Sequence, residues 1–367
     1  MESFINIKEY ILTMNLSESN SCVMSKQGNV YYEKNLQLDD LKEDEVKVRP
    51  IAVGVCGTDI KILNKLKPCV DGAIGHEATA IVVSSGDNAK EFKRGDFVAI
   101  SPHIHEEING KLYNGNIGFS EGKGVLTMEQ NLHKSRIIKI DEKFEELNYA
   151  VGLTQSDGLA CCIRSQKAID FSNVKNAIIL GAGSMGMFHS LLLKSKNIEV
   201  TIADINQTAL DFAMYHDVSN KYVLSNELYT LNNIYDLVIV CNGDPASYSQ
   251  AFDIVRNNGE VNMYASMFNK QRSITIGNRE LDIMKYHLEE HLPEVVELGN
   301  NKSIRVSGAL GYESDEFSEA INKILTKEID PTKFITSKFN LSSSVIDEIL
   351  SSYEKGGKIM IYPYMIF

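Results

Sequence analysis

Three side chains of the types that bind a catalytic zinc ion lie close together in the sequence. Cys56 offers a thiolate, His76 an imidazole and Glu77 a carboxylate, and Cys56 and His76 are 20 residues apart. A catalytic zinc takes three protein ligands of these types and keeps a fourth position for water or substrate. Each residue alone is more often a buried thiol or a turn residue than a ligand. Together they predict a zinc site that would polarise an oxygen atom.

A second motif has the glycine spacing of a dinucleotide-binding loop. It follows an apolar strand pattern and opens a helical pattern, which is the context that such a loop requires. The first two glycines let the backbone turn and approach a pyrophosphate closely, and the third lets helix and strand pack together. The phosphate would lie at the helix N-terminus, where backbone N–H groups point outward. The loop consists of Gly181, Ala182, Gly183, Ser184, Met185 and Gly186.

An acidic residue follows the glycine loop at the distance expected for ribose recognition. Asp204 lies 23 residues after Gly181, at the end of the second strand of this region. A carboxylate there can accept hydrogen bonds from both ribose hydroxyls and repels a 2′-phosphate, so it favours NAD over NADP. The alternative is that Asp204 caps a helix or a turn. A metal that polarises an oxygen, together with a nicotinamide that accepts a hydride, indicates alcohol dehydrogenation.

Composition supports chemistry on a small molecule. The chain has 367 residues, 43% of them hydrophobic, and a net charge of −12. Such a charge disfavours binding to nucleic acid or to an anionic membrane. The six cysteines have no disulfide-framework spacing, and no apolar run is long enough to span a bilayer. We therefore expect a cytoplasmic protein with a small-molecule substrate.

The order of sequence patterns indicates two domains of an α/β fold. From about Val46 to Asp141, short β-type runs alternate with turn residues, which is typical of a β-rich domain. From Asn176 onward, strand and helix patterns alternate as in parallel βαβ units. The acidic segment Arg279–Asn300 is expected to be an exposed helix with a solvated face, and a contact with a partner or second subunit is the alternative. The tail after Leu310 is expected to return to the first domain. The predicted strands are Ala177–Leu180, Glu199–Ala203, Tyr235–Val240 and Glu260–Tyr264, and the predicted helices are Met187–Lys196, Thr208–His216 and Ala246–Arg256.

With these motifs in this order, the chain resembles the zinc-dependent medium-chain dehydrogenase/reductase family, which includes alcohol, polyol and threonine dehydrogenases. The resemblance implies a GroES-like β-rich catalytic domain, a Rossmann domain with a doubly wound parallel sheet, and a C-terminal segment that returns to the catalytic domain. The implied domains are 1–164 with 310–367, and 165–309. A homodimer or homotetramer is implied in the same way. The matching segments are Gly54–Asp59, Gly75–Glu77, Arg94–Val98, the glycine loop with Asp204, Asp330–Thr336 and Gly357–Ile361.

The resemblance also assigns roles around the metal. Cys56 and His76 match the zinc ligands of the family, and Glu77 matches a carboxylate that ligates zinc or exchanges with water. Asp157, 24 residues before Gly181, occupies the remaining ligand position, although a helix cap is an alternative for it. Asp59 matches an acid that orients the zinc-bound histidine through its other ring nitrogen.

Thr58 matches the hydroxyl that takes the substrate proton in the family. Many relatives end this proton relay at a histidine five residues after the cysteine, where this chain has Lys61. The proton then passes to Lys61 or directly to water. We expect Lys61→Ala to change the pH–rate profile more than the substrate affinity, and an unchanged profile would remove Lys61 from the mechanism.

The chain departs from many relatives in a second place. Their lobe with four closely spaced cysteines binds a structural zinc, but the corresponding region, Ser101–Leu126, contains no cysteine. It carries His103, His105, Glu106 and Glu107 instead. We interpret it as a polar surface loop, with a second metal as the less favoured alternative, and expect one catalytic zinc per chain and no structural zinc.

Two alternatives remain open beside a zinc- and NAD-dependent dehydrogenase for a secondary alcohol, polyol, sugar derivative or amino alcohol. The first is a zinc-free NAD(P)H enone or quinone reductase of the same fold, against which the metal-binding residues argue. The second is a non-enzymatic nucleotide-binding protein, since fold alone does not fix function. Metal content and NADH binding distinguish the three.

Overall fold

The computed structural model of the chain divides into two compact units. The structure describes residues 4–17, 19–103, 106–108, 111–113, 115–230, 234–265, 273–276, 279–282, 293–299, 301–308, 310–353 and 356–364. Unit 1 comprises Met1–Asp157 with Ile321–Phe367, and unit 2 comprises Gly158–Ala320.

Unit 1 is mainly β-structure with short helices. Its strands before the chain leaves the unit are β1 (Cys22–Lys26), β2 (Asn29–Glu33), β3 (Glu45–Val55), β4 (Gly72–Ala73), β5 (Glu77–Ser85), β6 (Phe97–Ile100), β7 (Glu106–Ile108), β8 (Lys111–Tyr113), β9 (Gln130–His133) and β10 (Ile137–Lys139). Its helices in this part are α1 (Phe4–Thr13), α2 (Gly57–Leu63), α3 (Leu147–Leu153) and the start of α4 (Ser156–Lys167).

Strand β3 is the centre of the large sheet of unit 1. Its valines at 46, 48, 53 and 55 are buried in one apolar cluster, which suits β-branched residues on a pleated surface. It pairs with β5 and β9, and its register against β5 shifts next to Pro50. Proline has no N–H to donate to the ladder, so an irregularity at this position is expected.

The C-terminal segment joins the same sheet. After α8 (Ser314–Leu325), it forms β20 (Ile335–Asn340), α9 (Val345–Tyr353) and β21 (Lys358–Tyr362). Strand β21 pairs antiparallel with β3, with Met360 opposite Gly54, and the sheet order is β10-β6-β5-β3-β21-β20. Strand β3 therefore lies between the strand that follows His76 and the last strand of the chain.

The N-terminal helix α1 is attached to unit 1 through its C-terminal carbonyl groups. Arg49 donates to the carbonyls of Ile11 and Met14, and Arg94 donates to that of Leu12. The last carbonyls of a helix lack intrahelical donors and attract cations, so two arginines at this end stabilise the helix where it lies.

Unit 2 alternates strands with helices. Its elements are the rest of α4, β11 (Asn176–Leu180), α5 (Ser184–Lys194), β12 (Glu199–Asp204), α6 (Gln207–Tyr215), β13 (Lys221–Leu224), β14 (Tyr235–Val240), α7 (Pro245–Ile254), β15 (Val255–Asn262), β16 (Ser273–Ile276), β17 (Arg279–Asp282), β18 (Glu294–Gly299), β19 (Lys302–Ser307) and the start of α8. Its large sheet has the order β13-β12-β11-β14-β15-β19-β18. The first six of these strands are parallel.

This order places a topological switch point between β11 and β14. The chain turns to one side after β11 to form β12 and β13, and to the other side to form β14 and β15. In such doubly wound sheets, a ligand binds at the carboxyl ends of the strands where the order reverses. The glycine loop begins directly after β11, so the predicted Rossmann arrangement is confirmed, as are the β-rich domain and the α/β fold class.

Some predicted elements differ from the structure. The acidic helix expected over Arg279–Asn300 is wrong for the described part of that segment, because Arg279–Asp282 and Glu294–Gly299 are strands. Strand β18 pairs antiparallel with β19 at the edge of the sheet, where acidic side chains are compatible with a strand that carries two valines. The fourth strand of the parallel series also begins earlier than expected, at Val255. No described helix is long and apolar enough to cross a membrane.

Candidate active site

The pairing of β3 with β5 brings the two halves of the candidate metal site together. Gly54 lies directly opposite Glu77 in this antiparallel pair. Cys56, two residues after Gly54, is the N-cap residue of α2, and His76 immediately precedes β5. Since the strands run in opposite directions, the residue after one strand meets the residue before the other. The register of the sheet therefore brings Cys56 and His76 together, although they are 20 residues apart in the sequence.

The side chains of Cys56, His76 and Glu77 converge on one point. Their ligand atoms all lie within 4.8 Å of one another, and this is the one such group of three donors among the described residues. His76 and Glu77 are buried, whereas Cys56 is half-buried. Asp157, at the start of α4, is buried but is not a member of this group.

Asp59 supports both ends of this donor group. One of its carboxylate oxygens, Oδ2, accepts a hydrogen bond of 2.9 Å from the backbone N–H of Cys56, and the other, Oδ1, lies 3.5 Å from Nδ1 of His76. An acid beside Nδ1 favours a proton on that nitrogen and leaves Nε2 as the basic one. Burial lowers the pKa of His76, but the charges of Asp59 and Cys56 outweigh burial, so this pKa lies well above its usual value.

Lys358, on β21, contacts the carboxylate of Glu77 from the other side of β3. Its ammonium forms an ion pair with Oε2 of Glu77, and both side chains are buried. The pair lies over Gly54, where an added Cβ would be 2.5 Å from that oxygen and 3.0 Å from Cε of Lys358. Gly54 is therefore needed for close approach. No role for Lys358 was predicted from the sequence. A lysine at the start of an otherwise apolar strand could have indicated a buried ion pair.

The donor set fits zinc. A thiol, an imidazole and a carboxylate that meet within 4.8 Å are ligand types that zinc takes, and the acid behind the imidazole is the usual partner of a metal-bound histidine. Lys358 compensates the charge of Glu77, but a thiolate at Cys56 would add a second negative charge beside that carboxylate. The group would therefore gain stability from a dication at the point where the three donors meet.

Thr58 and Lys61 both lie on α2, directly after Cys56. Each is half-buried, and the two are three residues apart, so they are neighbours on one face of the helix. Both residues are therefore on the short helix that begins directly after the candidate metal ligand Cys56.

A different structural feature accounts for each of the three glycines of the loop. Gly181 has a φ of +121°, a conformation that side chains disfavour, and a Cβ added at Gly186 would contact the carbonyl oxygen of Gly181. A Cβ added at Gly183 would meet no atom within 4 Å. Gly183 is the N-cap of α5, so its open surface lies beside the free N–H groups of an 11-residue helix. These features fit a pyrophosphate.

Two alanine substitutions in this loop should separate an effect on folding from an effect on cofactor binding. Gly186→Ala brings a methyl onto the carbonyl of Gly181, so we expect unfolding to be easier by about 1–3 kcal/mol. Gly183→Ala should leave the melting temperature unchanged but weaken NADH binding about tenfold or more, because its methyl blocks close approach of a pyrophosphate. Scanning calorimetry and NADH fluorescence titration measure the two effects. Unchanged NADH affinity of Gly183→Ala would contradict this function of the loop.

Asp204 ends β12 and contacts the glycine loop. Its Oδ2 accepts a hydrogen bond of 2.7 Å from the N–H of Ala182, and its Oδ1 accepts one of 2.9 Å from the N–H of Asn206. The turn role considered as an alternative is thus present in the structure. The half-buried carboxylate still lies at the end of the strand next to the loop, where a ribose would be bound.

The region that replaces the structural-zinc lobe is described in part. His103 forms a β-bridge with Asn116, and the hydroxyl of Ser101 donates to the carbonyl of His103. Glu106 and Glu107 begin β7, which pairs with β8, while His105 lies outside the described residues.

Comparisons with known proteins extend over both units. A family model described as the alcohol dehydrogenase GroES-like domain matches residues 42–142. An (R,R)-butanediol dehydrogenase of Neisseria gonorrhoeae is 22% identical, over 92% of this chain and 99% of its own. A D-xylulose reductase of Saccharomyces cerevisiae is 20% identical, over 90% of this chain and 93% of its own. The crystal structure of 2R,3R-butanediol dehydrogenase from Bacillus subtilis, 17% identical, matches with a TM-score of 0.73 over 94% of this chain and 100% of that one. At this identity the structural match shows a shared fold.

Proposed function

We propose that this chain, a member of the medium-chain dehydrogenase/reductase family, is a zinc-dependent enzyme that transfers a hydride between NAD and a secondary alcohol, polyol, sugar derivative or amino alcohol. The observation that carries the proposal is the convergence of Cys56, His76 and Glu77 within 4.8 Å in a chain that also has a dinucleotide-binding loop. The names of the two curated relatives, which act on a diol and on a ketose, support a polyol or similar alcohol.

The residues of the site divide the work of alcohol oxidation between them. Bound zinc supplies a Lewis acid, and NAD supplies the hydride acceptor. Cys56, His76 and Glu77 would hold the metal, and Asp59 fixes the ring of His76 so that Nε2 faces it. The hydroxyl of Thr58 accepts the proton of the substrate hydroxyl and passes its own toward Lys61 or water.

Two carboxylates are candidates for the third protein ligand. Glu77 lies within the donor group but is ion-paired to Lys358, whereas Asp157 is buried and lies outside the group. We propose that Glu77 and Asp157 are the two alternatives for the third protein ligand that would hold the metal. The zinc content of Glu77→Gln and Asp157→Asn, compared side by side, tests which carboxylate holds the metal in the resting protein.

We propose NAD rather than NADP as the cofactor, on the basis of Asp204. Asp204→Asn keeps an oxygen that can accept the hydrogen bond of Ala182 but removes the negative charge. We expect the preference for NAD over NADP to fall at least about tenfold, because the repulsion of a 2′-phosphate is lost. Dissociation constants of both reduced cofactors measure it. Asp211→Asn, on α6, is the matched control and should change neither constant.

The proposed function is tested by a substrate screen on zinc-loaded protein. Secondary alcohols, polyols, sugars and amino alcohols would be supplied with NAD and with NADP, and reduction of the cofactor followed by absorbance. Turnover that is lost with chelator and restored by zinc supports the proposal. Enone or quinone reduction without zinc would favour the reductase alternative, and NADH binding without any turnover would favour a non-enzymatic nucleotide-binding protein.

We also propose a homo-oligomer and a cytoplasmic location. Strand β18 is at the edge of the unit 2 sheet, and the side chain of Val295 on it is 65% exposed, as suits an edge that pairs with a second copy. All six cysteines are free, which suits a reducing compartment. Light scattering coupled to size-exclusion chromatography tests the assembly.

A further inference from the structure

One lysine near the candidate metal site has no role in the proposed mechanism. The ammonium of Lys67 lies 4.0 Å from the centre of the Phe119 ring, a cation–π distance. The Phe119 ring in turn packs against the His76 imidazole, with ring centres 6.1 Å apart and planes at 74°. The two distances together place the ammonium at most about 10 Å from the centre of the imidazole. That distance is comparable to the length of a short polyhydroxy chain with an anionic end group, so a substrate at the metal donors can extend to Lys67.

The loops that carry Lys67 and Phe119 are held together and held against the site. The N–H of Val70 donates to the carbonyl of Phe119 at 3.0 Å, and the thiol of Cys69 lies 3.4 Å from the carbonyl oxygen of Gly118. Gly118 has a φ of +83°, and a Cβ added there would contact the carbonyl oxygen of Gly75, next to His76. Backbone contacts thus fix the position of the Lys67 loop relative to His76.

The ammonium of Lys67 is not paired with an acid. No carboxylate lies within 4.0 Å of it in the described part of the chain, and its side-chain contact is the ring of Phe119. The residue is half-buried, and burial lowers its pKa. An aromatic face occupies one side of an ammonium and leaves other N–H donors for a second partner. Lys67 therefore retains the capacity to bind an anion.

The charges of the metal site do not require Lys67 for balance. Cys56, Glu77 and Asp59 would contribute three negative charges in their ionised forms, and Lys358 with a bound dication would contribute three positive ones. Charges on Cys56 and Asp59 also act on Lys67, which places its ammonium within electrostatic reach of the donors. Lys67 is a further positive charge beyond that balance. It lies in the segment 61–70, which has three lysines and no acid, and which is flanked by Asp59 and Asp71. A local positive field in an acidic protein attracts anions.

We infer that Lys67 binds an anionic group on the substrate, a carboxylate or a phosphate monoester, while the substrate hydroxyl is at the metal. The preferred substrates are then hydroxy acids or polyol phosphates with a short carbon chain rather than neutral alcohols. This inference rests on the proposed function, because it names the substrate class of the same site. A charged hydrogen bond from a half-buried ammonium supplies both affinity and orientation.

The test compares three compounds that share a five-carbon polyhydroxy chain: ribitol, D-ribonate and D-ribitol 5-phosphate. Their dissociation constants are measured by titration calorimetry on zinc-loaded protein without nicotinamide, so that no turnover occurs. We expect at least one anion to bind about tenfold or more tightly than ribitol, and Lys67→Met to abolish that difference. Lys67→Arg should retain the tighter binding of the anion. The control is Lys65→Met, which should also retain it, because Lys65 is an exposed lysine that donates to Asn29.

Each outcome has a separate meaning. Tighter binding of D-ribonate alone assigns a carboxylate, and tighter binding of D-ribitol 5-phosphate alone assigns a phosphate. Anions that bind no better than ribitol, or an anion preference that survives in Lys67→Met, overturns the inference. A turnover screen with neutral and with anionic alcohols then separates the proposed dehydrogenase activity from the inferred anion site. Oxidation of neutral alcohols alone leaves the dehydrogenase intact, whereas anion binding without oxidation of any alcohol removes the dehydrogenase and keeps the anion site.

Discussion

Cys56→Ser should lose most of its bound zinc, and its kcat/KM for alcohol oxidation should fall about a thousandfold or more. A Lewis acid contributes several kcal/mol to the transition state, and each 1.36 kcal/mol corresponds to about tenfold in rate. The serine hydroxyl stays protonated at neutral pH and replaces a thiolate donor poorly. His76 and Glu77 alone would then hold the metal weakly. Elemental mass spectrometry gives zinc per chain, and steady-state kinetics give the activity.

The matched control for this variant is Cys69→Ser. Cys69 is another half-buried thiol of unit 1, hydrogen-bonded to the carbonyl of Gly118, but it is not one of the three convergent donors. A serine at this position can make the same hydrogen bond, so zinc content should remain near one per chain. Two zinc ions in the parent protein would indicate a second site, and the region of His103 and His105 would be examined first. Freshly purified parent protein with no zinc, and none recovered on addition, would contradict the metal mechanism.

Lys358→Met should strongly destabilise unit 1 when zinc is removed. It leaves the carboxylate of Glu77 buried without its cation, and breaking a buried pair from one side costs about 3–5 kcal/mol. Methionine has nearly the length of lysine, so the effect of lost packing is small. Scanning calorimetry with a chelator present measures the loss.

Two further measurements separate lost charge pairing from other causes. The double variant Glu77→Gln/Lys358→Met should recover at least half of the lost stability, since no charge remains unpaired. Zinc should also restore part of the stability of Lys358→Met if Glu77 binds the metal, because the dication then replaces the ammonium as its partner. A double variant no more stable than Lys358→Met would show that the lysine stabilises the fold by packing.

The parts of the site that sequence analysis could find are those with local sequence signals. The glycine loop combines three glycines with a strand before it and a helix after it, and Cys56, His76 and Glu77 stand within one short stretch. Lys358 was missed because its partnership with Glu77 depends on β21 pairing with β3, a contact between distant parts of the chain. The lysine at the start of an apolar strand is a local signal that Lys358 is unusual, but only tertiary structure identifies Glu77 as its partner.

The helix predicted over Arg279–Asn300 was wrong, and the sequence could not give the distance of Asp157 from the donors, for two different physical reasons. The acidic composition of Arg279–Asn300 suits any exposed element, and edge pairing with β19 gave a strand where helical propensity was assumed. Counting back from the glycine loop matched Asp157 to the remaining ligand position, with a helix cap as the alternative. The structure has Asp157 at the start of α4, but a count of residues gives no distance to Cys56. Convergence of donors is a property of three-dimensional packing, and in the described residues it joins Cys56, His76 and Glu77. The assignment of Asp157 as a ligand stays a prediction.

The register that pairs Gly54 of β3 with Glu77 of β5 also has a consequence for how the chain folds. A slip of one residue between these strands would turn every side chain to the other face of the sheet and separate Cys56 from His76. Only the native register would then bind the metal tightly, and the free energy of metal binding is free energy of folding. Zinc present during synthesis would therefore select correctly paired chains over slipped ones, and the yield of native protein would depend on metal supply before any substrate is met.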